Sequence, residues 1–329
     1  MPMAEGEVMK HNETIRQKDT ARPWEPEESA AIELVHFSAS YGGRSVLHDV
    51  SFTVPRGSIF GLLGTNGAGK TTTIKTLLGF RPPQSGMVRV LGYEVGRQQQ
   101  AINALVGSVS EQSSLYDGLT VAQLCRLSSQ LQRRWNQPLV QRFLDLFALP
   151  AHARLKTFSR GMRSQVALCL ALGHEPELLI LDEPTAGLDP LAHQVVLSTL
   201  IGEVAARGTT IFFATQQLAE VEAMADQVAV LHGGRLSLYD EVDQLRTREQ
   251  FVRLVYAQQP PAEEMAYLRG LPDVLRVEQE GRAVRLRMAG EAQALVALLQ
   301  ARPYALRDHE VVAVPLAEVL LTALRGEGA

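Results

Sequence analysis

Apolar residues between positions 31 and 247 occur mostly in short, continuous runs. Residues 59–63, 178–181 and 209–214 are such runs, and each is bounded by turn-forming or charged residues. Continuous apolar runs of this length are typical of strands that are buried on both faces of a parallel sheet. Residues from about 112 to 175 are instead predicted to be mainly helical. The pattern therefore predicts an α/β unit with a buried sheet.

The last 80 or so residues have a different pattern. Alternation of apolar and charged residues at 284–288 predicts a strand in a sheet with one buried face. The predicted order is strand 251–256, helix 262–269, strand 274–279, strand 284–288, helix 291–301, strand 311–314 and helix 316–324. This order is the ferredoxin-like pattern. No catalytic constellation occurs there, so we predict an accessory or dimerisation domain at 248–329.

Composition narrows the classes of function. Apolar residues make up 46% of the 329-residue chain, and no run of about 18 of them predicts a membrane span. The net charge of −4 gives no sign of nucleic-acid binding. Cys125 and Cys169 are far apart in sequence and predict neither a metal site nor a disulfide. Residues 1–30 are polar and charged, and we predict a disordered tail there.

Residues 64–71, GTNGAGKT, fit the phosphate-loop pattern G-x-x-x-x-G-K-[ST] at every fixed position. A predicted strand precedes the motif and a predicted helix, 70–78, follows it, which argues against an ordinary glycine-rich turn. Backbone N–H groups and the helix dipole would bind phosphate, while Lys70 would neutralise it and Thr71 would ligate Mg²⁺. The predicted ATP contacts are Gly64, Thr65, Asn66, Gly67, Ala68, Gly69, Lys70, Thr71 and Thr72.

Two carboxylates follow the apolar run 178–181. Asp182 stands where a second Mg²⁺ ligand is needed, at the end of a strand beside the phosphate loop. Glu183 comes directly after it and would act as the general base for the attacking water. The alternative for this pair is a turn that ends the strand at Pro184, and the phosphate loop makes that alternative weak. The predicted cofactors are therefore ATP and Mg²⁺.

Three segments together carry a family resemblance: the phosphate loop, residues 178–190 (LLILDEPTAGLDP) and residues 158–162 (FSRGM). In their order along the chain, 64–71, 158–162 and 178–190, they resemble the nucleotide-binding domain of ATP-binding-cassette (ABC) transporters, over about residues 31–245. The multidrug- and antibiotic-export branch is most similar, and its C-terminal extension resembles 250–329 weakly. The resemblance implies a P-loop NTPase fold: a RecA-like core with an antiparallel β subdomain and a helical subdomain, followed by a small α+β domain.

The same resemblance implies roles for four residues outside the phosphate loop. Tyr41 would stack on adenine, and Ser159 and Gly161 would meet the γ-phosphate of ATP that is held by a second subunit. Asp189 would lie at the interface between the two subunits. The implied partners are a second nucleotide-binding subunit, identical or different, and an integral membrane permease. The chain would then be cytoplasmic and held at the inner face of the plasma membrane by the permease.

Three positions depart from the family pattern. Arg160 stands inside the signature motif, where we favour a solvated side chain over one that adds charge near the phosphates. Glu111 takes the place of a glutamine that touches Mg²⁺, with Gln112 as a one-residue alternative. Gln216 replaces the switch histidine, and its amide can donate a hydrogen bond but cannot carry charge or relay a proton.

The leading hypothesis is an ATP-hydrolysing subunit that powers a separate permease, with export as the favoured direction. The permease contact is expected near residues 111–120. One alternative is a regulatory subunit with weak ATPase activity, which the departures at Glu111 and Gln216 favour. The other is a soluble ABC protein that acts on ribosomes or DNA, against which stand the single phosphate loop and the lack of sustained heptads.

Overall fold

The computed structural model describes residues 29–111, 115–290, 292–300, 302–304 and 306–326. The tail predicted at 1–30 lies outside the described residues except for its last two positions, and Gln112 lies outside them as well. The first strand begins at Ala30.

The elements up to residue 248 are ten strands and eight helices within the described residues. In chain order they are β1 (Ala30–Tyr41), β2 (Arg44–Pro55), β3 (Ile59–Gly64), α1 (Lys70–Leu77), β4 (Ser85–Val90), β5 (Tyr93–Glu94), α2 (Gln99–Leu105), β6 (Val106–Val109), α3 (Val121–Leu131), α4 (Gln137–Leu146), α5 (Arg160–Leu172), β7 (Leu178–Asp182), α6 (Pro190–Thr199), β8 (Thr210–Thr215), α7 (Leu218–Met224), β9 (Gln227–His232), β10 (Arg235–Glu241) and α8 (Val242–Arg248). Short helical turns cover Leu155–Thr157, Leu200–Val204 and Ala205–Arg207.

The central sheet has the strand order β10-β9-β3-β8-β7-β6. Strands β9, β3, β8, β7 and β6 are parallel, and β10 returns antiparallel to β9 through a hairpin at Gly233 and Gly234. Every residue of β3, β7 and β8 is buried, as the continuous apolar runs predict. Because parallel strands end at the same edge of a sheet, the segments that follow β3, β7 and β8 come together.

A second, antiparallel sheet has the order β2-β1-β4-β5 and packs on the core through Phe52, whose ring stacks on Phe60 with centroids 5.2 Å apart. Helices α3 to α5 occupy most of the segment that the sequence predicts to be helical. Thr120 begins α3 with a capping box to Gln123, and Asn136 caps α4 by accepting from the N–H of Leu139. No helix in the described ranges is both long enough and apolar enough to cross a bilayer.

The C-terminal elements are β11 (Glu249–Tyr256), α9 (Ala262–Arg269), β12 (Val274–Glu280), β13 (Ala283–Ala289), α10 (Ala292–Gln300), β14 (Leu306–Ala313) and α11 (Leu316–Leu324). They form an antiparallel sheet in the order β12-β13-β11-β14. The element order is the one predicted from the sequence. Strand β14 begins five residues earlier than predicted, because its first half is polar and exposed at a sheet edge and so shows no apolar pattern.

Helix α11 leaves this sheet and packs on the first unit. Its residues Leu316, Val319 and Leu320 are buried in the same apolar cluster as Val221 of α7 and Leu245 of α8. The N–H of Ala317 donates to the carboxylate of Glu222 at 3.0 Å. The last helix is therefore joined to α7, the helix that follows Gln216.

Candidate nucleotide-binding site

The phosphate loop connects the buried end of β3 to the start of α1. Two of its glycines have positive φ, 81° at Gly67 and 111° at Gly69, where L-residues with a side chain are strained. A Cβ at Gly69 would lie 2.4 Å from Cδ2 of the buried Leu47, so only glycine fits at the start of α1. Thr65, Asn66 and Gly67 are exposed, which leaves this part of the loop accessible to a ligand.

Lys70 is the first residue of α1 and is only 6% exposed. Its ammonium group donates to the carbonyl oxygen of Gly64 at 2.8 Å and lies 3.4 Å from Oε1 of Glu183. A buried ammonium needs such partners, because desolvating an unpaired charge is costly. The loop therefore holds one positive charge at its centre, with a carboxylate facing it.

The end of β7 supplies a second charge. The Thr71 hydroxyl donates to Oδ2 of Asp182 at 3.1 Å, although the two residues are 111 positions apart. Asp182 is 3% exposed, and its Oδ1 has no hydrogen-bond partner. Burial raises the pKa of the Asp182 carboxyl above its ordinary value, and the hydrogen bond from Thr71 opposes that rise. The negative charges of Glu183 and Glu111 also raise this pKa, and the positive charge of Lys70 lowers it.

This environment suits Mg²⁺. The unpartnered carboxylate oxygen of Asp182 and the neighbouring hydroxyl of Thr71 are two hard oxygen ligands. Mg²⁺ usually takes its other ligands from phosphate and water. Within the described residues no cluster of three or more His, Cys, Asp or Glu could hold a metal by itself. Thr71 and Asp182 thus fit a metal that arrives with a nucleotide.

Glu183 has a left-handed backbone, with φ of 50°, which is uncommon for a residue with a side chain. Its N–H donates to the carbonyl oxygen of Ala214 at 2.9 Å, and its carboxylate accepts from the N–H of Gln216 at 3.4 Å. Backbone strain of this kind is concentrated at functional sites. The turn aims the carboxylate at the phosphate loop rather than along the strand.

Gln216 follows β8 directly and is exposed beside Glu183. The next residues reveal a carboxylate that sequence reasoning missed. Glu220 of α7 is fully buried, accepts hydrogen bonds from Thr185 and from the amide of Gln217, and keeps Oε2 without a partner. It ties the segment after Glu183 to the segment after Gln216. The helix carries two acidic residues, Glu220 and Glu222, and no signal in the sequence indicates that the first of them is buried.

Glu111 is exposed at the end of β6, and its Oε1 lies 3.0 Å from Nη2 of Arg160. The Arg160 side chain is 57% exposed, as expected of a solvated residue, and its guanidinium also forms an ion pair with Glu111 that the sequence did not indicate. The alternative to Glu111, Gln112, lies outside the described residues.

Tyr41 ends β1 and is 54% exposed. The guanidinium of Arg81 lies 4.4 Å from the centroid of its ring, a cation–π arrangement that the sequence did not indicate. The exposed ring suits an aromatic platform for a base.

Ser159 and Asp189 begin helices. Ser159 caps α5 by accepting from the N–H of Met162 at 3.2 Å, and Asp189 caps α6 by accepting from Ala192 at 3.0 Å. Gly161 packs so closely on the loop before α6 that an added Cβ would lie 2.7 Å from Leu188. Among hydrogen bonds of the described residues, none joins these three predicted ligands to the phosphate loop of the same chain.

Comparisons with known proteins agree with this geometry. The profile of the ABC transporter family matches residues 47–186. A bacitracin transport ATP-binding protein, BcrA, from Enterococcus faecalis is 34% identical over 221 residues, which cover 67% of this chain and 72% of that protein. A Nod factor export ATP-binding protein I from Rhizobium johnstonii is 38% identical over 210 residues, covering 62% of this chain and 67% of that protein.

Among solved structures, one described as the ATP-binding subunit of an ABC transporter is 33% identical. It has a TM-score of 0.61 and covers 66% of this chain and 92% of the other. The predicted ABC-type cassette fold is thereby confirmed. The chain belongs to the family of ABC transporter ATP-binding proteins.

Proposed function

We propose that this chain binds MgATP at residues 64–71, hydrolyses it in a site completed by a second subunit, and thereby drives a separate membrane permease in the export direction. The observation that carries the proposal is the assembly of Lys70, Thr71, Asp182 and Glu183 at one edge of the central sheet. These residues are the two charges, the hydroxyl and the base that phosphoryl transfer to water requires.

Each side chain has a defined task in this proposal. The ammonium of Lys70 moves from the Gly64 carbonyl to the phosphates, which offer it more negative charge. Thr71 and Asp182 would hold Mg²⁺, which would neutralise charge on the phosphate oxygens. Glu183 accepts a proton from the attacking water, and its contacts with Lys70 and the Gln216 N–H keep it aimed at the loop.

The second subunit supplies the rest of the site. The chain holds its own nucleotide with Tyr41 on the adenine and Gly64 to Thr72 around the phosphates, and the second subunit adds its Ser159 and Gly161. Ser159 and Gly161 stand at the N-terminus of α5, where the first N–H groups attract an anion. The Ser159 hydroxyl only accepts in its cap and keeps its proton to donate, and Asp189 uses only Oδ1 in its cap, so both keep polar capacity toward the second subunit. This supports a dimer, with identical or different subunits.

Gln216 sets the expected rate. A neutral amide donates a weaker hydrogen bond than a charged imidazole, by about 1 kcal/mol. If the difference acts in the transition state alone, hydrolysis is slowed by about a factor of five to ten. Glu111 adds a carboxylate near Mg²⁺ where the family pattern has an amide, which affects binding of the metal rather than proton transfer.

The permease contact is proposed near residues 111–120 and the helix that follows. Tyr116, within this stretch, and Leu131, the last residue of α3, are 68% and 76% exposed. Contact sites are marked by contiguous apolar patches, whereas singly exposed apolar side chains are common on protein surfaces, so the placement of the permease contact rests on the family resemblance. The relatives named for bacitracin transport and Nod factor export support transport as the process that this chain powers. A permease would also hold it at the inner face of the plasma membrane.

Binding of a fluorescent ATP analogue with Mg²⁺ tests the nucleotide site. Lys70→Ala should abolish binding, whereas Lys75→Ala, an exposed lysine in the last turn of the same helix, should leave it unchanged. Equal binding by the parent and by Lys70→Ala would overturn the assignment of the loop.

Turnover and transport need separate measurements. Glu183→Gln should retain binding and lose hydrolysis, and Gln216→His should raise hydrolysis about five- to tenfold in the assembled transporter. Tagged chain purified from membranes should bring a permease with it. Recovery of the chain without any membrane protein, together with unchanged hydrolysis in Gln216→His, would leave a nucleotide-binding regulatory role as the better reading.

A further inference from the structure

Arg160 and Glu111 are 49 positions apart, yet they form an ion pair of 3.0 Å. Arg160 is the first residue of α5. Its stem lies on the loop before α6, since an added Cβ at Gly187 would be 3.2 Å from Cδ of Arg160. The Arg160 side chain therefore extends from that loop toward the end of β6, where its guanidinium contacts Glu111.

In the proposed mechanism, Glu111 also has a second positive neighbour, the Mg²⁺ that binds beside Asp182. Strand β6 pairs in parallel with β7, with Val109 opposite Leu181, so Glu111 leaves the sheet at the same edge as Asp182, the predicted Mg²⁺ ligand. Only Oε1 of Glu111 contacts Arg160 in the described structure. The carboxylate is thus paired with Arg160 and stands at the sheet edge that carries the predicted Mg²⁺ ligands.

The two cations do not bind the carboxylate with equal strength. Arg160 and Glu111 have side chains that are 57% and 44% exposed, and exposed ion pairs of this kind are weak. Mg²⁺ carries twice the charge and takes carboxylate oxygens at about 2.0–2.1 Å. A guanidinium beside the same carboxylate also repels the incoming metal. Removing the guanidinium of Arg160 should therefore strengthen the binding of Mg²⁺ at Glu111.

We propose that Arg160 competes with Mg²⁺ for Glu111, so that arrival of MgATP releases Arg160 from its ion pair. The inference rests on the proposed function, because it requires Mg²⁺ to bind beside Asp182. Arg160 lies next to Ser159 at the N-terminus of α5, the end that is proposed to face the nucleotide of the second subunit. Replacement of Arg160 by Mg²⁺ at Glu111 would thus couple the N-terminus of α5 to MgATP binding in the same chain. It would also release the positive charge of Arg160 at that end of the helix.

The test is a Mg²⁺ titration of fluorescent ATP-analogue binding to the full chain, which yields the Mg²⁺ concentration at half saturation. Arg160→Gln should lower this concentration about two- to fivefold, the range expected for losing an exposed ion pair. Glu111→Gln should raise it. In a Glu111→Gln background, Arg160→Gln should have no further effect, because the competitor then has no carboxylate to occupy.

Arg163→Gln is the matched control. Arg163 lies one turn further along α5 and pairs with Asp117 instead of Glu111. The substitution removes the same charge from the same helix and should leave the half-saturating Mg²⁺ concentration unchanged. Circular dichroism and melting temperature establish that each variant is folded.

Three results would overturn the inference. Arg160→Gln could leave the Mg²⁺ dependence unchanged or weaken it, it could act equally in the Glu111→Gln background, or Arg163→Gln could give the same shift. A parent chain that binds ATP without any response to Mg²⁺ would refute the metal role of Glu111 as well. Loss of all binding in the parent would instead refute the nucleotide site itself, which the Lys70→Ala comparison detects separately.

Discussion

Replacing Gly69 with alanine should destabilise the nucleotide-free chain through two effects that the structure separates. Gly69 precedes α1 with φ of 111° and ψ of 1°, a backbone conformation that an L-residue with a side chain rarely adopts. The added Cβ would also lie 2.4 Å from Cδ2 and 2.9 Å from Cγ of Leu47. Leu47 is fully buried, so it cannot swing into solvent.

The magnitude follows from these two terms. Backbone strain at such an angle costs about 1–3 kcal/mol. Forcing a buried leucine out of its packing position adds about 1–3 kcal/mol. The Gly69→Ala variant should therefore lose about 2–6 kcal/mol of unfolding free energy, with the second term due to Leu47 alone.

Urea unfolding without nucleotide measures the loss, and Gly67→Ala is the matched control. Gly67 has φ of 81°, but nothing lies within 4 Å of an added Cβ, so its variant carries strain without steric overlap. In a Leu47→Ala background, Gly69→Ala should cost only as much as Gly67→Ala does. Equal losses for the two glycine variants in the parent would refute the steric argument.

Three further predictions concern groups outside the phosphate loop. Burial raises the pKa of the Glu220 carboxyl, so its contribution to stability is present at low pH and is lost as the pH rises through the folded-state value. Glutamine does not ionise, so the melting temperature of Glu220→Gln relative to that of the parent should be higher at pH 8 than at pH 5. A difference in melting temperature that is independent of pH would contradict this. Arg287 forms an ion pair of 2.5 Å with Glu249, both largely buried, so Arg287→Met should cost about 3 kcal/mol in urea unfolding and should be rescued by also changing Glu249 to leucine. Burial raises the pKa of the Cys125 thiol to about 11 and that of Cys169 well above its ordinary value, so a thiol reagent at pH 8 should label the native chain slowly and the unfolded chain rapidly; fast native labelling would contradict it.

Local pattern was enough to predict most elements and the chemistry of the phosphate loop. The buried strands β3, β7 and β8 are continuous apolar runs, and the helices α9 and α11 have the predicted bounds. A motif between a strand and a helix is defined by adjacent residues, so its identity needs no knowledge of distant contacts. The exposed first half of β14 was missed because backbone pairing to β11, rather than side-chain burial, holds it in the sheet.

The sequence by itself determined which residue types carry the chemistry: Lys70 and Thr71 in the loop, with Asp182 and Glu183 after a buried strand. Only the tertiary structure decided which of them meet. The order β9-β3-β8-β7 brings Thr71 to Asp182 across 111 positions, and the placement of α5 against β6 brings Arg160 to Glu111 across 49. Periodicity reports which face of an element is buried, whereas the neighbour of each face depends on how the strands are ordered in the sheet. The ion pair of Arg160, the buried Glu220 and the strained Glu183 are consequences of that order.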